Sequence, residues 1–123
     1  MLDFTKLDGL VPAIVTDNVT GRVLMLGFMN EEAWAASLAT GDVTFWSRSR
    51  AKLWTKGETS GHKLRIREIR TDCDQDAVEF RVDPVGPGVC HEGYWSCFFR
   101  RLEDGEWRRA EERVFDPSEV YTQ

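Results

Sequence analysis

Residues 10–34 read LVPAIVTDNVTGRVLMLGFMNEEAW, and this stretch decides the fold. Two apolar, partly β-branched runs, Leu10–Thr16 and Arg22–Met29, flank the turn-forming DNVTG of Asp17–Gly21, a pattern that predicts a β-hairpin. Both runs are almost continuously apolar, so the hairpin is expected to be buried on both faces. Asn30 then offers a helix cap, and Glu31 and Glu32 suit the positive end of the helix dipole. Trp34, Ala35, Leu38 and Ala39 recur at helical spacing before a stop at Gly41.

Beyond the helix, strand character resumes at residues 43–46 (VTFW), followed by a polar stretch through Ser47–Gly61. Residues 62–71 set Leu64 and Ile66 against Lys63, Arg65 and Arg67, the period of a half-buried strand, and Val78, Phe80 and Val82 repeat it. Asp72–Asp76 (DCDQD) is the turn between them. Residues 84–88 (PVGPG) read as a loop, 94–102 as a further strand, and Glu103-Asp104-Gly105 as a hairpin turn toward Trp107. The expected class is α+β, mostly antiparallel sheet with one main helix. At 123 residues there is room for one core, so residues 1–123 are expected to form a single compact domain.

Hydrophobic residues at 41% and charged residues at 30% fit a soluble globular chain, and no apolar run approaches the roughly 20 residues of a membrane span. No membrane partner is expected. The first residues, MLDFTKLDG, carry acids and no apolar signal core, so a reducing, cytoplasmic setting is expected. Three cysteines there are buried fillers or metal ligands rather than a disulfide framework.

A net charge of −5 argues against nucleic acid as a general partner. It hides an asymmetry. Between Thr44 and Arg70 eight bases face two acids, so this block carries +6 and the remainder −11. Such a block is either a local anion site or a solvated strand face, and charge alone favours the solvated face.

Cys73, Cys90 and Cys97 lack the CxxC spacing of a structural zinc motif, yet three thiolates would leave a fourth zinc position open for water. Asp72, Asp74 and Asp76 sit close enough to repel one another unless a hard cation such as Mg²⁺ lies among them; the alternative is a solvated turn. His91, directly after Cys90, is one of only two histidines and thus a candidate acid or base. Trp46-Ser47-Arg48-Ser49-Arg50 and Leu53-Trp54 with Lys56-Gly57-Glu58-Thr59-Ser60-Gly61 interleave aromatics, bases, hydroxyls and glycines. That mixture can stack on a heterocycle and hydrogen-bond phosphate, or it can be core aromatics with rim charges.

Taken together, these segments resemble the phosphoribosyl-AMP cyclohydrolase family of histidine biosynthesis. The resemblance rests on Met25-Leu26 through Met29-Asn30-Glu31-Glu32-Ala33, WSRSR at 46–50, KGETSG at 56–61, DCDQD at 72–76, and Gly86-Pro87 through Cys90-His91 to Ser96-Cys97-Phe98. It covers about residues 10–100; residues 101–123 lie beyond it as a C-terminal extension of unassigned role. It implies hydrolysis of the purine N1–C6 bond of phosphoribosyl-AMP, giving the ring-opened phosphoribosyl-formimino product. It also implies an intertwined homodimer sharing the site, Zn²⁺ on Cys73, Cys90 and Cys97, and Mg²⁺ on Asp72, Asp74 and Asp76. Under this reading His91 moves the proton of a zinc-activated water. Arg48, Arg50 and Lys56 take phosphate, Thr59 and Ser60 belong to the same substrate-binding loop, and Trp46 or Trp54 flanks the ring. His62 stands where the family commonly has asparagine. A zinc-stabilised module binding RNA or a phosphorylated partner is the competing class, and substrate turnover separates the two.

Overall fold

The expected hairpin is present as β1 (Val11–Asp17) and β2 (Val23–Met29), paired antiparallel from Val11 opposite Met29. The Asp17 carboxylate closes its turn by accepting the Thr20 hydroxyl at 2.7 Å and the Thr20 N–H at 3.3 Å. These elements come from a computed structural model describing residues 1–120. Helix α1 (Glu31–Thr40) is capped as its sequence requires: the Asn30 side chain accepts the Ala33 N–H at 2.8 Å, and Gly41 ends the helix in the left-handed region.

β3 (Thr44–Ser47) and β4 (Lys52–Thr55) form a small antiparallel pair. β5 (Leu64–Thr71) and β6 (Val78–Pro84) are joined by the Asp72–Asp76 turn and complete a four-stranded sheet in the order β2-β1-β6-β5. Within it β1 and β6 run parallel, from Ala13 opposite Val78 to Asp17 opposite Val82, while the other neighbours are antiparallel. β7 (Arg100–Glu103) and β8 (Glu106–Arg109) make a separate hairpin, and α2 (Pro117–Val120) closes the described chain. Over the described residues the fold is thus α+β with mostly antiparallel strands and two helices.

Parity along the strands builds one core face. Val11, Ala13 and Val15 of β1, Met25 and Met29 of β2, and Val78, Phe80 and Val82 of β6 are all buried. Trp34 of α1 reaches Phe80 at a ring separation of 6.0 Å, and Phe45 of β3 covers Gly27 of β2. A β-carbon at Gly27 would lie 2.5 Å from the Phe45 ring, so this strand position has to be glycine.

Four expectations are corrected. The hairpin is not buried on both faces: β2 leaves Val23 38% and Leu26 45% exposed, because α1 and β3 cover only one side of the sheet. Residues 94–99 are not strand; the backbone there turns to follow β2, and pairing begins at Arg100. The polar stretch 47–61 hides strand β4, whose short Leu53-Trp54 pair is too brief to show a period. Finally, α1 buries Ala33 and Ser37 while Leu38 is 54% exposed. Ser37 can sit inside because its hydroxyl donates to Ala33 O at 2.9 Å and accepts the Thr44 N–H at 2.9 Å, fastening the helix to β3.

Candidate active site

The loop after β4 curls tightly. Gly61 N–H donates to Gly57 O at 2.7 Å, and His62 N–H to Ser60 Oγ at 3.1 Å. Gly57 has φ +85°, and a β-carbon there would fall 2.4 Å from the His62 backbone, so the curl needs glycine on both conformational and steric grounds. The curl brings Lys56, Thr59 and Ser60 to one cleft of about 410 Å³, which Arg50, Trp54 and His91 also line. Six residues singled out from the sequence therefore share one concavity. Trp46 and Arg48 line an adjoining concavity of about 540 Å³ in which Trp54 is the common wall. Arg48 lies 4.0 Å over the Phe28 ring, and Trp54 packs at 5.0 Å against Phe45, so Trp54 serves both core and cleft.

The basic block divides in two. On β5, Arg65 pairs with Asp42 and Arg67 with Asp83, both at 3.4 Å, and Arg70 pairs with Glu68; these are the solvated strand face. Arg48, Arg50 and Lys56 make no ion pair among the described residues, and their charges remain available to an anion.

Two thiols stand beside this cleft. The segment carrying them is nailed to β2: Cys97 N–H donates to Leu24 O at 2.7 Å, and buried Ser96 donates its hydroxyl to Val23 O at 2.8 Å while accepting the Phe98 N–H at 2.9 Å. Cys90 is held by a turn in which its N–H reaches Tyr94 O at 3.0 Å. Tyr94 stacks on Phe99 at 3.7 Å, and these rings with Cys90 form a second small core. Cys97 is open to solvent on one side, yet its sulfur is enclosed beside Cys90; burial first, and then the Cys90 thiol, push its own thiol up to about 12. Lys56 faces the same pair of thiols, and burial pulls its ammonium below the ordinary lysine range. A divalent cation reverses that thiol penalty by binding thiolate outright.

Cys73 is elsewhere, exposed on the β5–β6 turn. Among the described residues, the one trio of potential metal ligands whose donor atoms lie within 4.8 Å of one another is Asp72, Asp74 and Asp76, so the three sulfurs do not converge within one chain. The Asp72 carboxylate also organises the turn, accepting Asp76 N–H at 3.1 Å and Ala77 N–H at 3.3 Å. Lys6 draws the Asp74 carboxyl down to about 2, whereas Asp74 and Asp72 beside it raise that of Asp76. Soft thiols suit zinc and hard carboxylates suit magnesium, so the donor chemistry of both groups fits the metals expected.

The sequence reading missed the strap over the thiol loop. Val114 N–H donates to Gly93 O at 2.8 Å, Arg113 donates to Glu92 O at 2.9 Å, and Phe115 meets the His62 ring edge-on at 5.1 Å. Gly88 and Gly93 admit this strap: a β-carbon would lie 2.8 Å from Val114 Cγ2 in one case and 2.5 Å from Phe115 O in the other. Two glycines bracketing Cys90-His91 were the available signal. His62 is wedged between Gly86 and Phe115 with its Nδ1 buried, a packing position.

A small α+β domain that gathers cations without ion pairs among the described residues, an indole and a histidine into one cleft, with a thiol pair alongside, has the make-up of a small-molecule enzyme. Comparison with known proteins agrees. The family model described as phosphoribosyl-AMP cyclohydrolase matches residues 25–99. A relative of that name from Solibacter usitatus is 61% identical over 120 residues, covering 98% of this chain and 95% of its own. Another, from Oleidesulfovibrio alaskensis, is 56% identical over 119 residues, covering 97% and 92%, and one from Geobacter sulfurreducens is 49% identical over 120 residues, covering 98% and 96%. The chain belongs to the phosphoribosyl-AMP cyclohydrolase family.

Proposed function

We propose that this chain, acting as one domain, hydrolyses the N1–C6 bond of phosphoribosyl-AMP in histidine biosynthesis and releases the ring-opened phosphoribosyl-formimino product. The observation that carries the proposal is the single cleft joining Arg50, Trp54, Lys56, Thr59, Ser60 and His91. In this reading the cations and loop hydroxyls hold the substrate's two phosphates, with Arg48 on the adjoining wall. Trp54 or Trp46 flanks the purine.

Cys90 and Cys97 of one chain would hold zinc together with Cys73 of a second copy, which makes the working unit a homodimer. The separation of Cys73 from the other two thiols supports that division. Asp72, Asp74 and Asp76 would hold magnesium. Zinc in such a site supplies Lewis acidity that renders a water nucleophilic at neutral pH. His91 would take one proton from the attacking water as its oxygen bonds to C6 and return it to N1 as the N1–C6 bond breaks, while the water's second proton passes to the exocyclic nitrogen, so that C6 and that nitrogen become a carboxamide. Ring opening changes the purine absorbance, which gives the test. His91→Ala should lower turnover by about 10²–10⁴-fold with zinc content unchanged. Near-wild-type turnover with zinc retained would remove His91 from the reaction.

A further inference from the structure

Three carboxylates crowd the Asp72–Asp76 turn, and a cation is already among them. Lys6 places Nζ 2.9 Å from Asp74 Oδ2 and 3.2 Å from Asp76 Oδ2, bridging two of the three. The surrounding N-terminal segment grips the same turn through its backbone, since the Asp3 N–H donates to Gln75 O at 2.6 Å. Asp3 in turn accepts the Thr5 N–H at 2.9 Å, which folds residues 3–5 into a short bend that delivers Lys6. Leu2 and Phe4 pack against the core, so the segment is anchored independently of the ion pair.

An ammonium balances charge but cannot satisfy several carboxylate oxygens in the way a divalent ion does. Both partners are about half exposed, so the pair is weak enough to be displaced. We propose that Lys6 is the resident counter-ion of the aspartate turn, and that it yields this place to the divalent cation. Metal loading and docking of the Lys6 side chain then compete for the same oxygens. Because Cys73 lies between Asp72 and Asp74, the exchange takes place on the turn that presents the third thiol. This rests on the assignment of magnesium to Asp72, Asp74 and Asp76.

The test is calorimetric titration of Mg²⁺ into the full chain and its Lys6→Met, Lys6→Arg and Lys63→Met variants, with Lys63, just before the start of β5 and so at the opposite end of that strand from the turn, as a control for net charge. Lys6→Met should bind Mg²⁺ about two- to five-fold more tightly, the reach of an exposed ion pair. Lys6→Arg and Lys63→Met should stay near wild type. Saturating Mg²⁺ should also raise the reactivity of Lys6, but not Lys63, toward reductive methylation. Equal or weaker binding by Lys6→Met, or a Lys6 still protected in saturating Mg²⁺, would overturn the competition. Absence of Mg²⁺ binding in every variant would instead overturn the magnesium assignment and the inference with it.

Discussion

Lys56 is a cation held where water scarcely reaches: it is 9% exposed, has no ion-pair partner among the described residues, and faces Cys90 and Cys97. Burial disfavours its charge and equally disfavours thiolate at Cys97, so each charge is costly alone and supported by the other. The backbone that places Lys56 depends on its neighbour. Gly57→Ala would strain a φ of +85° and drive a β-carbon into the His62 backbone. It should destabilise the domain by about 2–4 kcal/mol and raise KM, measured by denaturant unfolding and steady-state kinetics. Gly57, Thr59 and Ser60 were legible in the sequence as a loop suited to anions. That Lys56 lies beside the thiols was not, because it stands 34 positions before Cys90 and only packing closes the gap.

At the scale of elements, the thiol-bearing segment is neither helix nor strand, and it is positioned by hydrogen bonds onto the outer edge of β2. Ser96 is the rivet. Ser96→Ala would remove the hydroxyl that donates to Val23 O and leave the Phe98 N–H without its acceptor, costing about 1–3 kcal/mol, and would let Cys97 drift from Cys90. The expected result is a lower melting temperature together with reduced zinc content, read by thermal denaturation and metal analysis. Full zinc occupancy at an unchanged Tm would show that other contacts suffice. The expectation of a strand over 94–102 holds only from Arg100 onward, and it failed over 94–99 for a clear reason. Aromatic and β-compatible residues at 94, 95, 98 and 99 serve a ring stack and loop packing, and propensity does not distinguish that from pairing.

At the scale of the whole molecule, the distance of Cys73 from Cys90 and Cys97 defines the strongest test of the proposed dimer. Cys73→Ala and Cys90→Ala should each be inactive alone. Mixed and allowed to exchange subunits, they should regain about a quarter of wild-type activity, because half of the dimers are hybrids and each hybrid keeps one site with all three thiolates. No recovery, despite hybrids demonstrated by native mass spectrometry, would place all three thiolates in one chain. The exposed Val23 and Leu26 belong to the same scale: a hairpin that is apolar on both faces in sequence has only one face covered in the single chain.

The amino-acid order alone determined the hairpin, the capped helix, the aspartate turn, and the residues that resemble a cyclohydrolase. Turn chemistry, capping and strand parity act between near neighbours, and a linear reading captures them. Only the tertiary structure decided which three of the eight bases in the basic block are spent on ion pairs, that residues 113–115 strap the thiol loop, and that Lys6 occupies the carboxylate turn. Those outcomes follow from the parallel β1–β6 pairing and from loops docking onto sheet edges. Such contacts join residues tens of positions apart, and their free energy comes from the assembled core rather than from any local pattern.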